Sequence, residues 1–89
     1  MAYRSVGTQP EILNTYKGPQ KIVINVITAG ASVYVSTSRY ALANKIAGQQ
    51  MGTPITQANS PEALDVQGEI YWVGSADPTE CDVLEAGAL

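Results

Sequence analysis

Polar and apolar positions alternate most regularly over residues 21–28, where Ile22, Ile24 and Val26 form one wholly apolar face. A period of two predicts a β-strand with one side on a core. The other side, Val23, Asn25 and Ile27, is only half polar, which predicts cover on both sides. Residues 31–37 alternate again, with Ala31, Val33 and Val35 inward and Ser32, Tyr34 and Ser36 outward, as in a half-buried antiparallel strand. Ala29-Gly30 lies between them, and because glycine accepts positive φ without steric cost the two strands are expected to pair as a hairpin. A further strand is read over residues 69–75, preceded by a short one over 63–66, with Gln67-Gly68 as a second hairpin turn. Trp72 shares a face with Ile70 and is the expected centre of the core. A loop with Asp77-Pro78 follows, and residues 81–86 form a last strand. Residues 10–15 and the Pro54-Ile55 region read as edge strands, since proline cannot donate to a ladder.

Residues 38–48 (SRYALANKIAG) break the alternation. Ser38 can cap a helix, Ala41, Leu42, Ala43 and Ala47 favour one, and Gly48 would end it. Without a capping box a helix of about three turns has little stability of its own. A short helix or helical turn is therefore expected, with an irregular loop as the alternative. Residues 1–20 carry Tyr3, Val6, Ile12, Leu13 and Tyr16 without a period. That is more apolar than a free tail, and it is read as an extended N-terminal arm (residues 1–20) docking on a neighbour, an irregular first strand being the other reading. Residues 21–89 then form a single domain. The fold expected is all-β: a small antiparallel β-sandwich or barrel of about six to eight strands, with Greek-key or jelly-roll-like connections.

Composition adds a constraint. The chain has 89 residues, 45% hydrophobic and 15% charged, which is too apolar for a disordered tail. A domain of this length hides only about 60–65% of its extended surface, and small domains often compensate with disulfides, metals or partner chains. One cysteine and no histidine exclude an intrachain disulfide and disfavour zinc, so assembly with other chains is the expected supplement. Cys81, between Glu80 and Asp82, is expected to pack as a small hydrophobe rather than react.

The net charge of −3 argues against nucleic acid as a partner, because phosphate binding needs a basic surface. Charge is also unevenly distributed: residues 1–45 hold all five bases against Glu11, and residues 46–89 hold seven acids and no base. A basic portion of one copy meeting an acidic portion of the next is one reading, and a solvated acidic face the other. No apolar run approaches the ~20 residues of a membrane span, and the first residues lack the pattern of a secretory signal. Synthesis in a cytoplasm without a membrane partner is expected.

Catalytic chemistry is hard to assemble here. Histidine is missing, and carboxylate pairs such as Glu80 with Asp82, or Asp65 with Glu69, would need a cleft that a small sandwich hardly offers. The oxygens of residues 77–82 match no EF-hand loop and are read as a polar turn. Tyr34 and Tyr71 are expected on the outer surface, where aromatics serve subunit contacts or stack on sugars; the contact is favoured.

An apolar strand and a turn, then GASVYVSTSR (30–39), a variable middle and QGEIYWVGSADPTECDVLE (67–85), in that order, resemble small tailed-phage virion proteins. These are the capsid decoration or cement proteins and related β-sandwich particle components, and the likeness covers roughly residues 20–86. The resemblance implies a protein without enzymatic activity or cofactor, present in many symmetric copies, often trimers. It implies the major capsid protein and copies of itself as partners, and the capsid surface of the virion as location. The contact residues come from composition rather than from any family motif. They are Tyr3, Arg4, Ile12, Leu13, Tyr16 and Lys17, with Glu80, Asp82 and Glu85 as acidic counterparts. The alternative is a carbohydrate- or receptor-binding module, or another tail, baseplate or connector component.

Overall fold

Ile22, Ile24 and Val26 are buried, as are Val33 and Val35, so both alternating segments turn an apolar side to a core. In this computed structural model, which describes residues 2–44 and 54–88, they do so from opposite sides. The elements are β1 (Ala2–Val6), β2 (Glu11–Ile12), β3 (Gln20–Val26), β4 (Ser32–Ser36), α1 (Arg39–Asn44), β5 (Ile55–Thr56), β6 (Glu62–Val66), β7 (Tyr71–Gly74) and β8 (Thr79–Ala88). A first sheet has the order β1-β8-β3-β6 and a second the order β2-β7-β4-β5, every pairing antiparallel. The expected all-β sandwich is present, with jelly-roll connections.

The pairs β1·β8, β2·β7, β3·β6 and β4·β5 make the topology simple to state. The chain is one long antiparallel ribbon, doubled back between β4 and β5 and wrapped so that it crosses between sheets at three corners. Hydrogen bonds splice the two ribbon halves at each corner. At the first, Gly74 N donates to Gly7 O at 2.8 Å. At the second, Leu13 N donates to Ile70 O at 2.8 Å and Gly68 N to Lys17 O at 2.7 Å. At the third, Gln57 Nε2 donates to Ile27 O at 3.1 Å.

This arrangement corrects two expectations. β3 and β4 do not form a hairpin, nor do β6 and β7; each pair is an arch between sheets. Gly30 and Gly68 do take the left-handed conformation, at φ 78° and 82°, but they turn the chain across the core rather than back along the same sheet. Nor are residues 1–20 a separate arm. β1 is an edge strand of the first sheet and β2 of the second, and Val6 and Leu13 belong to the common core with Trp72, Ile70 and Cys81. Their inward residues are too few and too irregularly spaced to show a period.

The edge positions expected for residues 10–15 and 54–55 are observed as β2 and β5. The helix begins where expected: Ser38 Oγ accepts from Ala41 N at 3.2 Å, an N-cap. Residues 45–48 of the expected helix lie outside the described residues. α1 lies against β4 and β7, on the outer side of the second sheet. Ala41 and Leu42 are buried there with Val73 and Ser36, a small second core beneath the helix.

Candidate functional site

The described residues gather no set of three or more His, Cys, Asp or Glu side chains able to hold a metal. Nor does the fold bring Asp65 and Glu69 together. Asp65 faces Lys21 at 3.8 Å on the first sheet, whereas Glu69 faces Lys17 at 3.9 Å at the second corner. The turn over residues 75–78 is closed by buried Thr79, whose Oγ1 donates to Ala76 O at 2.8 Å. What remains chemically available is surface, and it divides between the two outer faces of the sandwich.

On the first sheet, register sets outward side chains in rows. Tyr3 and Asn25 flank Asp82, and Val23 lies between Leu84 and Ala63. Ile27, beyond the end of β3, donates its backbone N–H to Glu80 O at 2.8 Å and extends the pairing. Tyr3, Leu84 and Ile27 are 60%, 42% and 39% exposed, a gathering of apolar surface on a sheet face that also carries Glu80, Asp82 and the Lys21–Asp65 pair. Tyr3 Oη donates to Glu80 at 2.8 Å, and that bond raises the phenol pKa above its ordinary value, helped by partial burial and the Glu80 charge.

The outer side of the second sheet is built differently, because α1 covers its middle. Ile12 pairs with Tyr71 at one edge, and the Arg39 guanidinium sits 6.0 Å from the centre of the Tyr71 ring. Tyr71 Oη is hydrogen-bonded to Glu69, which raises its pKa above the ordinary value. Beside the helix, Gln9, Pro10, Arg39, Tyr40 and Ala43 line an open groove of about 520 Å³. Tyr34 and Tyr71, expected on the outside, are half-buried.

The candidate contact residues therefore separate. Tyr3, Glu80 and Asp82 come together on the first-sheet face, and Ile12 lies on the second-sheet side. Leu13 is not available, being 1% exposed in the core. Arg4 points inward between the open edges β1 and β2. Its Nη1 donates to Leu13 O at 2.5 Å, and its guanidinium lies 4.8 Å from the centre of a Trp72 ring. It clasps the sheets instead of presenting a charge outward. Tyr16, Lys17 and Glu85 belong to the second corner. Lys17 Nζ donates to Asn14 O at 2.6 Å, and Glu85 accepts from Thr15 N at 2.8 Å and Thr15 Oγ1 at 3.0 Å. Partial burial would raise the Glu85 pKa, but the bonds from Thr15 and Gln20 outweigh it and the net shift is downward.

Cys81 is buried in the core, and burial, assisted by Asp82 and opposed by Arg4, pushes its thiol up to about 11. Two features went unseen in the sequence. Asn14 is 1% exposed and makes three hydrogen bonds, two of them across the second corner and one to nearby Tyr16 O. The groove beside Tyr40 forms only because the ribbon's first corner folds next to α1, a juxtaposition with no local sequence signal.

Comparison with known proteins finds no match among family models, curated proteins or solved structures.

Proposed function

We propose that the chain is a non-enzymatic structural protein of a virus particle, a capsid decoration protein that bridges neighbouring shell subunits. The observation that carries this reading is the open outer face of the first sheet, where Tyr3, Ile27 and Leu84 lie exposed among Glu80 and Asp82. Exposed apolar side chains gathered on one flat face are what a contact surface requires. The jelly roll adds support at the level of fold analogy alone, since viral shell and lectin domains both use it. The resemblance of residues 30–39 and 67–85 to tailed-phage decoration proteins points the same way. Such a protein works by burying surface at seams between shell subunits, at ~25 cal/mol per Å² before the costs of association.

The test is purification of particles from cells producing the chain, with the bound copies counted. Binding at a copy number commensurate with the shell, lost in Leu84→Asp, supports the proposal. A copy number set by the tail axis points to a connector, and saturable sugar binding lost in Tyr34→Ala and Tyr71→Ala points to a carbohydrate module. Either result overturns it.

A further inference from the structure

Six large hydrophobic side chains are notably exposed among the described residues, and all but Tyr16 lie on the two outer sides of the sandwich. Tyr3, Ile27 and Leu84 are on the first-sheet face, and Ile12 and Tyr40 on the α1 side. The charges differ between these sides: two carboxylates of the first-sheet face and one guanidinium of the α1 side have no opposite charge at ion-pair distance among the described residues, while Glu11, on the β2 edge next to Pro10, accepts from Gly7 N at 3.3 Å. On the first-sheet face Lys21 faces Asp65, and no cation among the described residues comes within ion-pair distance of Glu80 or Asp82. Across the molecule, Arg4 is held inside and Lys17 faces Glu69, whereas Arg39 rests on the Tyr71 ring with no described carboxylate at that distance.

We infer that the two sides are the halves of one head-to-tail contact: the Arg39–Tyr40 side of one copy seats on the Asp82–Leu84 face of the next. Arg39 meets Asp82 and Glu80, and an apolar side chain of the acidic face, Leu84 or Tyr3, enters the groove beside Tyr40. The fit is one of charge and of area. The molecule measures 32 × 26 × 18 Å, so each broad side offers an area of the order of the ~800 Å² per partner that a standard interface buries. Because the matching patches lie on opposite sides, the contact is heterologous, and copies add into a ring or a row rather than stopping at a symmetric dimer. This deepens the structural reading above, in which the chain assembles with copies of itself.

Charge reversal with rescue tests the pairing. Sedimentation of the full chain at low salt is expected to show concentration-dependent association that weakens as salt rises. Arg39→Glu and Asp82→Arg should each raise the dissociation constant at least about tenfold. An equimolar mixture of the two variants should associate again, because each supplies the charge the other lacks. Circular dichroism confirms that both stay folded, as expected for side chains outside the core. A wild-type chain that stays monomeric overturns the inference. So does a discrete dimer sensitive to Asp82→Arg but indifferent to Arg39→Glu, and so do single variants that associate normally. Particle binding by a monomeric chain would sink this contact and leave the decoration role standing; self-association without particle binding would do the reverse.

Discussion

Replacing Asn14 with alanine is the most direct test of the spliced ribbon. Its Nδ2 donates to Tyr16 O at 3.0 Å and to Gly68 O at 2.7 Å, and its Oδ1 accepts from Ile70 N at 2.9 Å. One side chain thus replaces the strand pairing that the ribbon loses where it bends from the first sheet to the second. In Asn14→Ala the Tyr16 and Gly68 carbonyls can regain water, since both residues keep exposed surface. The Ile70 N–H lies in a fully buried residue and is stranded. Two ordinary hydrogen bonds at ~1 kcal/mol each, plus a stranded donor at ~1–3 kcal/mol, give a loss of about 3–5 kcal/mol. A domain of this size has about 4–13 kcal/mol in total, so the variant is close to unfolding at ambient temperature. The assay is urea unfolding followed by Trp72 fluorescence, reading the midpoint at unchanged slope. Thr15→Ala, which removes only an exposed hydroxyl from Glu85, is the control and should lose under about 1 kcal/mol. If Asn14→Ala also stayed within about 1 kcal/mol of wild type, water or a shifted backbone would be holding the corner, and the splice would not matter.

Three further outcomes follow from the same structure. Deletion of residues 2–16 removes β1, β2, two core residues, the Arg4 clasp and Asn14, so the truncated chain should show no cooperative unfolding by calorimetry; a cooperative transition would restore the separate arm. The Cys81 thiol, buried and with its pKa raised to about 11, should react with a thiol reagent near pH 8 only as the protein opens. Labelling at the rate of a free thiol would place it outside the core. Glu85 has a lowered pKa, so the stability it adds is fully present above the ordinary glutamate value of about 4.3 and fades as pH falls through the lower folded-state value. The stability difference between wild type and Glu85→Gln should therefore shrink between about pH 5 and about pH 3, and a difference constant with pH would refute the assignment.

The strands were legible wherever a whole face is buried. Ile22, Ile24 and Val26 face inward because period-two alternation records the core side, and Trp72 with Ile70 marks β7 and its approach in the same way. The hairpins were misread because alternation does not record whether the next strand lies beside its predecessor or opposite it. In both arrangements the apolar side turns inward, and Gly30 or Gly68 in the left-handed conformation serves either turn. Of the two readings of residues 1–20, the irregular first strand is observed and the docking arm is not; the arm suggests itself in the sequence because Arg4 occupies an inward position of β1 and β2 is only two residues long. A charged inward residue looks like surface until its partners, the Ile12 and Leu13 carbonyls and the Trp72 ring, are in place. Asn14 left no signal at all: its bonds reach 54 and 56 residues along the chain, and a polar loop residue is ordinarily solvated.

The ribbon also decides what kind of contact the chain can offer. An arm that docks on a neighbour must leave its own domain intact when it departs, and β1 and β2 cannot do so. They close one edge of each sheet, bury Val6 and Leu13, and are held to one another through Arg4. The positive charge counted in the first half of the sequence is accordingly spent in part on contacts within the molecule: Arg4 clasps the sheets, and Lys17, at the surface, ties the second corner. The uneven charge along the chain therefore does not translate into a basic arm and an acidic body. What survives folding is a separation by side, with Arg39 beyond the second sheet and Glu80 and Asp82 on the first, so the surface the chain offers to a contact is its broad faces rather than an extended terminus.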